Sequence, residues 1–130
     1  MLFSGSLTAM ISGAVIVLVT ITVHELAHGY TAYLLGDNTA KNAGRLSLNP
    51  LAHLDPLGAI LLFVTGFGWA KPVPINPFYF KGSRSRGILL VSLAGPLSNV
   101  VLAFVLAMFV PLAARFNMSL AQIIASAIYL

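Results

Sequence analysis

Apolar positions run without a charge from Leu7 to Val23, and the helical pattern continues through His24, Glu25 and His28 to about Leu35. Gly36-Asp37-Asn38 then breaks it. An α-helix over 7–35 would be roughly 43 Å long, enough to cross a bilayer and emerge. A polar stretch follows, in which Gly44-Arg45-Leu46-Ser47-Leu48 alternates weakly and predicts a short strand. The apolar run from Leu57 to Trp69 has thirteen residues, too few to span comfortably, and predicts a re-entrant segment. Between Lys71 and Pro77, three prolines in seven residues exclude a helix and a central strand but allow an extended edge. Gly87 to Val110 predicts a spanning helix of twenty-four residues closed by Pro111, and Met118 to Leu130 begins another.

These segments define an expected fold class: an all-α membrane protein with polytopic transmembrane helices. A re-entrant segment and a short β or extended region lie between its first two core helices. Residues 1–130 are expected to be one membrane-embedded domain, with a motif helix at about 7–35, a polar and re-entrant region at 36–86, a spanning helix at 87–110 and the start of a further helix at 118–130.

Composition supports the bilayer as solvent. Charged residues make up 8% and hydrophobic residues 58%, and mean hydropathy is +0.94. Soluble domains carry roughly 25% charged residues, and so short a chain cannot hide this much apolar surface in one core. The net charge of +4 would hint at nucleic acid in a soluble protein. Here six of the seven basic residues lie between Lys41 and Arg86, flanking apolar segments, which reads as membrane topology. The positive-inside rule places that stretch in the cytoplasm and the N-terminus outside. There is no cysteine, so disulfides and thiolate metal sites are excluded, and histidine and carboxylate remain as strong ligands.

Residues 24–28 read His-Glu-Leu-Ala-His. Histidines at i and i+4 share a helix face one turn apart, so both imidazoles can reach one zinc ion. Glu25 lies beside the ion position, where it can take a proton from a metal-activated water and pass it to a leaving amine. Pentapeptides of this kind arise by chance on charged helices. With three histidines and one glutamate in the chain, random placement gives this pattern on the order of once in a few thousand shuffles. An ionisable residue in a membrane helix also costs about 2.5–3.5 kcal/mol on insertion scales, which calls for a partner or a function. Glu25 falls eleven residues before Gly36, roughly 16 Å along the helix, so the site sits within the bilayer towards its cytoplasmic side.

Other polar residues have plainer readings. Asp55 directly precedes Pro56 and suits an N-cap. His53 divides evenly between capping a turn and approaching the metal. Asn99, in an otherwise apolar helix beside the small residues Ala94, Gly95 and Ser98, is expected to serve helix packing, with a donor near the active site as the lesser reading. The Lys71–Pro77 stretch suits either an edge that pairs with an unwound substrate or a connecting loop. A metal transporter would need ligands on several spans, and only His53, Asp37 and Asp55 remain. A haem protein would need a histidine on the facing helix, and the 87–110 segment has none.

Three stretches together resemble the site-2 protease family of intramembrane zinc metalloproteases. They are His24-Glu25-Leu26-Ala27-His28; the run from Gly44 to Gly58 with Phe67-Gly68-Trp69-Ala70-Lys71-Pro72-Val73-Pro74 after it; and Ala94-Gly95-Pro96-Leu97-Ser98-Asn99. The second is similar to the compact bacterial and archaeal branch, and the third to a Gly-Pro-x-x-Asn signature of the next core helix. The resemblance implies proteolysis of membrane-embedded substrates in a prokaryotic cell membrane, with zinc on His24 and His28. It implies a third ligand from an Asp in a Leu-Asp-Gly segment on a later helix, which this sequence lacks. That ligand is expected beyond Leu130, with Asp55 or His53 as the alternative. Residues 1–130 alone are therefore expected to bind zinc weakly and not to cleave. A catalytically incomplete fragment, an inactive homologue or a membrane metal-binding protein are the competing readings.

Overall fold

A computed structural model describes residues 5–116 and 118–128. Two long helices carry the architecture. The first, α1, spans Leu7–Leu34, with the Ser6 side chain capping its N-terminus. Its last turn closes through Leu35, whose N–H reaches back to Thr31 and Ala32, and Gly36 then turns the chain away at φ 106°. A short helix α2 follows at Thr39–Asn42, then a single 3-10 turn at Pro50–His53. Helix α3 spans Pro56–Thr65, and a second 3-10 turn occupies Pro77–Tyr79. Helix α4 runs Arg84–Phe116 and packs against α1, and α5, Met118–Ile128, packs against α4.

Helices α1 and α4 are long and apolar enough to cross a membrane. Only 17% and 11% of their most apolar windows are buried among the described residues. Leu7, Ile11, Val15 and Val19 form an exposed row on α1, and Leu97, Val101, Phe104 and Met108 do the same on α4. An apolar surface this extensive needs an apolar environment. The small buried cluster of Ala32, Phe80 and Val91 sits where α1 ends and α4 begins, with Leu35 and Ile75 against it.

Two expectations are corrected here. No strand forms at 44–48, and no sheet exists among the described residues, only an isolated bridge between Leu54 and Ala70. The reason is that burial does not alternate along the segment: Leu46 and Ser47 are both half-buried. Arg45 turns inward and is buried, while Leu48 is 72% exposed, and no neighbouring strand is present to pair. The second helix also does not stop at Pro111. Proline removes one backbone donor, but Leu112-Ala113-Ala114 favour helix and α4 resumes to Phe116.

The short apolar helix α3 falls in the segment expected to be re-entrant. Asp55 caps it by accepting from the N–H groups of Leu57 and Gly58, and Gly66 ends it in the left-handed region. The chain then doubles back along the helix. A Cβ at Gly58 would lie 2.2 Å from the Trp69 carbonyl oxygen, and one at Gly68 2.2 Å from that of Gly58. Both positions therefore require glycine for backbone to touch backbone. An apolar cavity of about 200 Å³ lies between α1 and this hairpin, lined by Leu18 and Ile21 on one side and Leu62 and Trp69 on the other.

Candidate metal centre

The geometry of α1 brings His24, Glu25 and His28 together. One helical turn separates the two imidazoles, whose ring centroids lie 4.7 Å apart in an edge-on arrangement. Potential ligand atoms of all three residues fall within 4.8 Å of one another, and all three side chains are half-buried. These are the three residues that the sequence singles out.

Helix α4 forms the opposite wall. A Cβ built on Gly95 would stand 2.4 Å from His28 Nε2 and 2.6 Å from His24 Nε2. Both nitrogens therefore point at Gly95, a position of that wall without a side chain. One turn earlier on α4, the Val91 carbonyl oxygen lies 2.6 Å from His28 Nδ1. A carbonyl can only accept, so His28 Nδ1 is the donor, and in the neutral ring Nε2 then presents its lone pair. One turn later, the Asn99 amide nitrogen lies 3.1 Å from His24 Nδ1. Two imidazole nitrogens beside a carboxylate, facing a gap that any side chain would fill, fit a zinc ion.

Glu25 is held from a third direction. Its Oε2 accepts from the Val73 backbone N–H at 3.2 Å, and no other hydrogen bond to its carboxylate occurs among the described residues. Val73 belongs to an irregular strap over residues 71–76 that is pinned at both ends. At one end, the buried Arg45 donates to the carbonyls of Lys71 at 2.6 Å and Pro72 at 3.0 Å. The Lys71 N–H also donates to the His53 carbonyl at 3.0 Å. At the other end, the fully buried Asp37 accepts from the Asn76 N–H at 2.8 Å and from both donors of Thr39. Donors at 71, 73 and 76 are thus engaged within the protein, which leaves less of an edge than a free strand would offer.

The remaining candidates lie outside the cluster. His53 is fully buried, with Nε2 at 2.8 Å from the Ser47 carbonyl and Nδ1 at 3.5 Å from Arg45. It secures the loop that supports the strap. Asp55 is the N-cap of α3, and its carboxyl sits below the usual carboxylate range. The Gly58 N–H is the largest cause, followed by the Trp69 indole. Neither residue joins His24 and His28, so neither serves as a third ligand in this arrangement. Asp37 is a structural anchor, in keeping with its place past the helix end.

Asn99 makes one amide contact from α4 to α1, as helix packing held by a single amide hydrogen bond would give, and the ring it meets is that of a motif histidine. Its signal was present in Ala94-Gly95-Pro96-Leu97-Ser98-Asn99, but the small residues offered a sufficient packing explanation. Gly95 as the wall of the site, and the backbone groups of Val91 and Val73, were not singled out at all. A carbonyl or an N–H leaves no mark on residue identity.

Comparison with curated proteins agrees with this geometry. The chain is 59% identical over 88 residues to "Putative zinc metalloprotease YwhC" of Bacillus subtilis, a match covering 68% of this chain and 40% of that protein. It is 33% identical over 94 residues to "Putative zinc metalloprotease Rip2" of Mycolicibacterium smegmatis, covering 68% of this chain and 36% of that one. The protein of the same name from Mycobacterium tuberculosis is 33% identical over 110 residues, or 80% of this chain and 40% of its own length. The chain thus spans about two fifths of the length of these relatives. No family model matches it, and no solved structure does.

Proposed function

Since the chain is a homologue of YwhC and Rip2, we propose that it is the motif-bearing part of an intramembrane zinc metalloprotease of the site-2 protease family. The observation that supports this most is the convergence of His24 Nε2 and His28 Nε2 on the bare backbone of Gly95, with the Glu25 carboxylate alongside. His24 and His28 would hold the zinc. Bound there, zinc supplies Lewis-acid polarisation of a water and of the scissile carbonyl.

The chain's own groups do the rest. The Val73 N–H holds Glu25 by Oε2, which leaves Oε1 to accept the proton of the attacking water and deliver it to the leaving amide nitrogen. The His28 Nδ1–H bond to Val91 keeps that ring from turning. The substrate is a membrane protein or membrane-anchored peptide, reached from within the bilayer along the exposed apolar faces of α1 and α4. A helical substrate hides its scissile amide and must be unwound first, and the part of the 71–76 strap not bonded internally is the surface offered for that. Helix α3 and its returning chain would dip into the bilayer and come back on one side. In this reading the protein is a multi-pass protein of a prokaryotic cell membrane, with the site towards the cytoplasm, as the basic residues between Lys41 and Arg86 suggest.

Metal content tests the core of this reading. The intact protein purified in detergent is expected to hold about one zinc per chain. Combined His24→Ala and His28→Ala should remove it, and stoichiometric zinc in the double variant would eliminate the site. Topology is tested separately, with single cysteines introduced into these 130 residues, which carry none of their own. A cysteine at Arg84 is expected to react with an impermeant reagent only from the cytoplasmic side, and one at Ser6 only from outside. The opposite pattern would move the site to the outer half of the membrane.

A further inference from the structure

We propose that Asn99 is a positioning residue that fixes the ring proton of His24 on Nδ1, by accepting a hydrogen bond from Nδ1–H through its side-chain carbonyl oxygen Oδ1. The proposal rests on the metal reading above and adds to it the group that prepares one of the two ligands.

Three observations converge on it. His24 Nε2 is the nitrogen that points at Gly95, so it is the one that must present a lone pair to the metal. A neutral imidazole with a bare Nε2 carries its proton on Nδ1, and that N–H needs an acceptor. The group 3.1 Å from Nδ1 is the amide of Asn99. As placed, its Nδ2 faces the ring and its Oδ1 is buried without a hydrogen-bond partner. Nitrogen and oxygen of a side-chain amide have nearly the same shape, and which is which must be settled from the bonding network. With Nδ2 towards the ring, Nδ1 would be an acceptor and the proton would sit on Nε2, blocking the metal position. Rotating the amide by half a turn puts Oδ1 at the same place and frees Nε2. It exchanges one partnered amide atom for the other, so no hydrogen bond is lost.

The arrangement then matches that of His28. Helix α4 offers an acceptor to each motif histidine on either side of Gly95: the Val91 carbonyl to His28 Nδ1 and the Asn99 side chain to His24 Nδ1. His28 is served by backbone, which any residue at 91 supplies. His24 is served by a side chain, which explains a lone amide in an apolar helix better than packing does.

The test uses the intact protein in detergent, with zinc and cobalt as probes. Zinc affinity is measured by competition with a chelating dye, and the ligand field by the visible spectrum of the Co²⁺ form. Asn99→Leu, of similar size with no acceptor, is expected to weaken zinc binding about 10- to 100-fold. Asn99→Asp restores an acceptor and should bind zinc at least as tightly as the native protein, with a native-like Co²⁺ spectrum. A helix-packing role predicts the reverse for Asp, since a buried carboxylate would disturb the contact. In the zinc-loaded native protein with ¹⁵N-labelled histidine, His24 Nδ1 should carry a directly bonded proton. That measurement stands even if Asn99→Leu fails to fold. Native affinity in Asn99→Leu, a loss in Asn99→Asp as large as in Asn99→Leu, or an unprotonated Nδ1 would each overturn the proposal while leaving the zinc site intact. A native protein with no zinc at His24 would overturn both.

Discussion

Glu25→Gln is expected to hold zinc as the native protein does and to lose peptide-bond cleavage by about 10²- to 10⁴-fold, the usual worth of a positioned general base. The substitution keeps the shape of the side chain. The amide oxygen can still accept from the Val73 N–H, so the strap and the metal site should stay in place. What is lost is the basic oxygen that takes up the proton. Cleavage of a membrane-anchored reporter and zinc content, measured on the same preparation, separate the two roles. Undiminished cleavage would remove Glu25 from the chemistry. Loss of zinc together with cleavage would make it a ligand instead.

Gly95→Ala is expected to weaken zinc binding by more than about 100-fold, beyond the usual cost of disturbing a group behind a ligand. A methyl group there would meet His28 Nε2 at 2.4 Å and His24 Nε2 at 2.6 Å, closer than atoms can approach. Either both imidazoles swing away from their shared focus or α4 moves off α1, which would also break the His28–Val91 bond. Alanine is the better helix former, so the fold itself should not suffer from the change in propensity. Equilibrium dialysis against zinc, with circular dichroism to verify helix content, checks the expectation. Native zinc affinity in Gly95→Ala would mean that the metal sits away from α4.

Much of this was legible in the sequence, and for definite reasons. His24, Glu25 and His28 stand out because spacing on a helix is fixed by 3.6 residues per turn, and ionisable residues are rare in an apolar run. The long helices follow from hydropathy alone. Asp55 as a cap was readable because Pro56 follows it. The strand at 44–48 was misread because alternating residue types do not ensure alternating burial; Arg45 turned inward to reach the carbonyls of Lys71 and Pro72. The extension of α4 past Pro111 was hidden because a proline marks a missing donor but not a helix end. For Asn99 the sequence offers an amide contact between helices, and only the placement of α4 against α1 shows which ring the amide meets.

The rim of the site is largely main chain: the Val91 carbonyl behind one ligand, the Val73 N–H beneath the base, and the bare α-carbon of Gly95 across the gap. An alanine scan cannot register the first two, since replacing either valine leaves its peptide group where it was. For the same reason, grafting the five motif residues onto an isolated helix would transfer the ligands without their supports. The unit that could be moved intact is a pair of crossing helices together with the strap, and its boundaries are those of backbone geometry rather than of any run of letters.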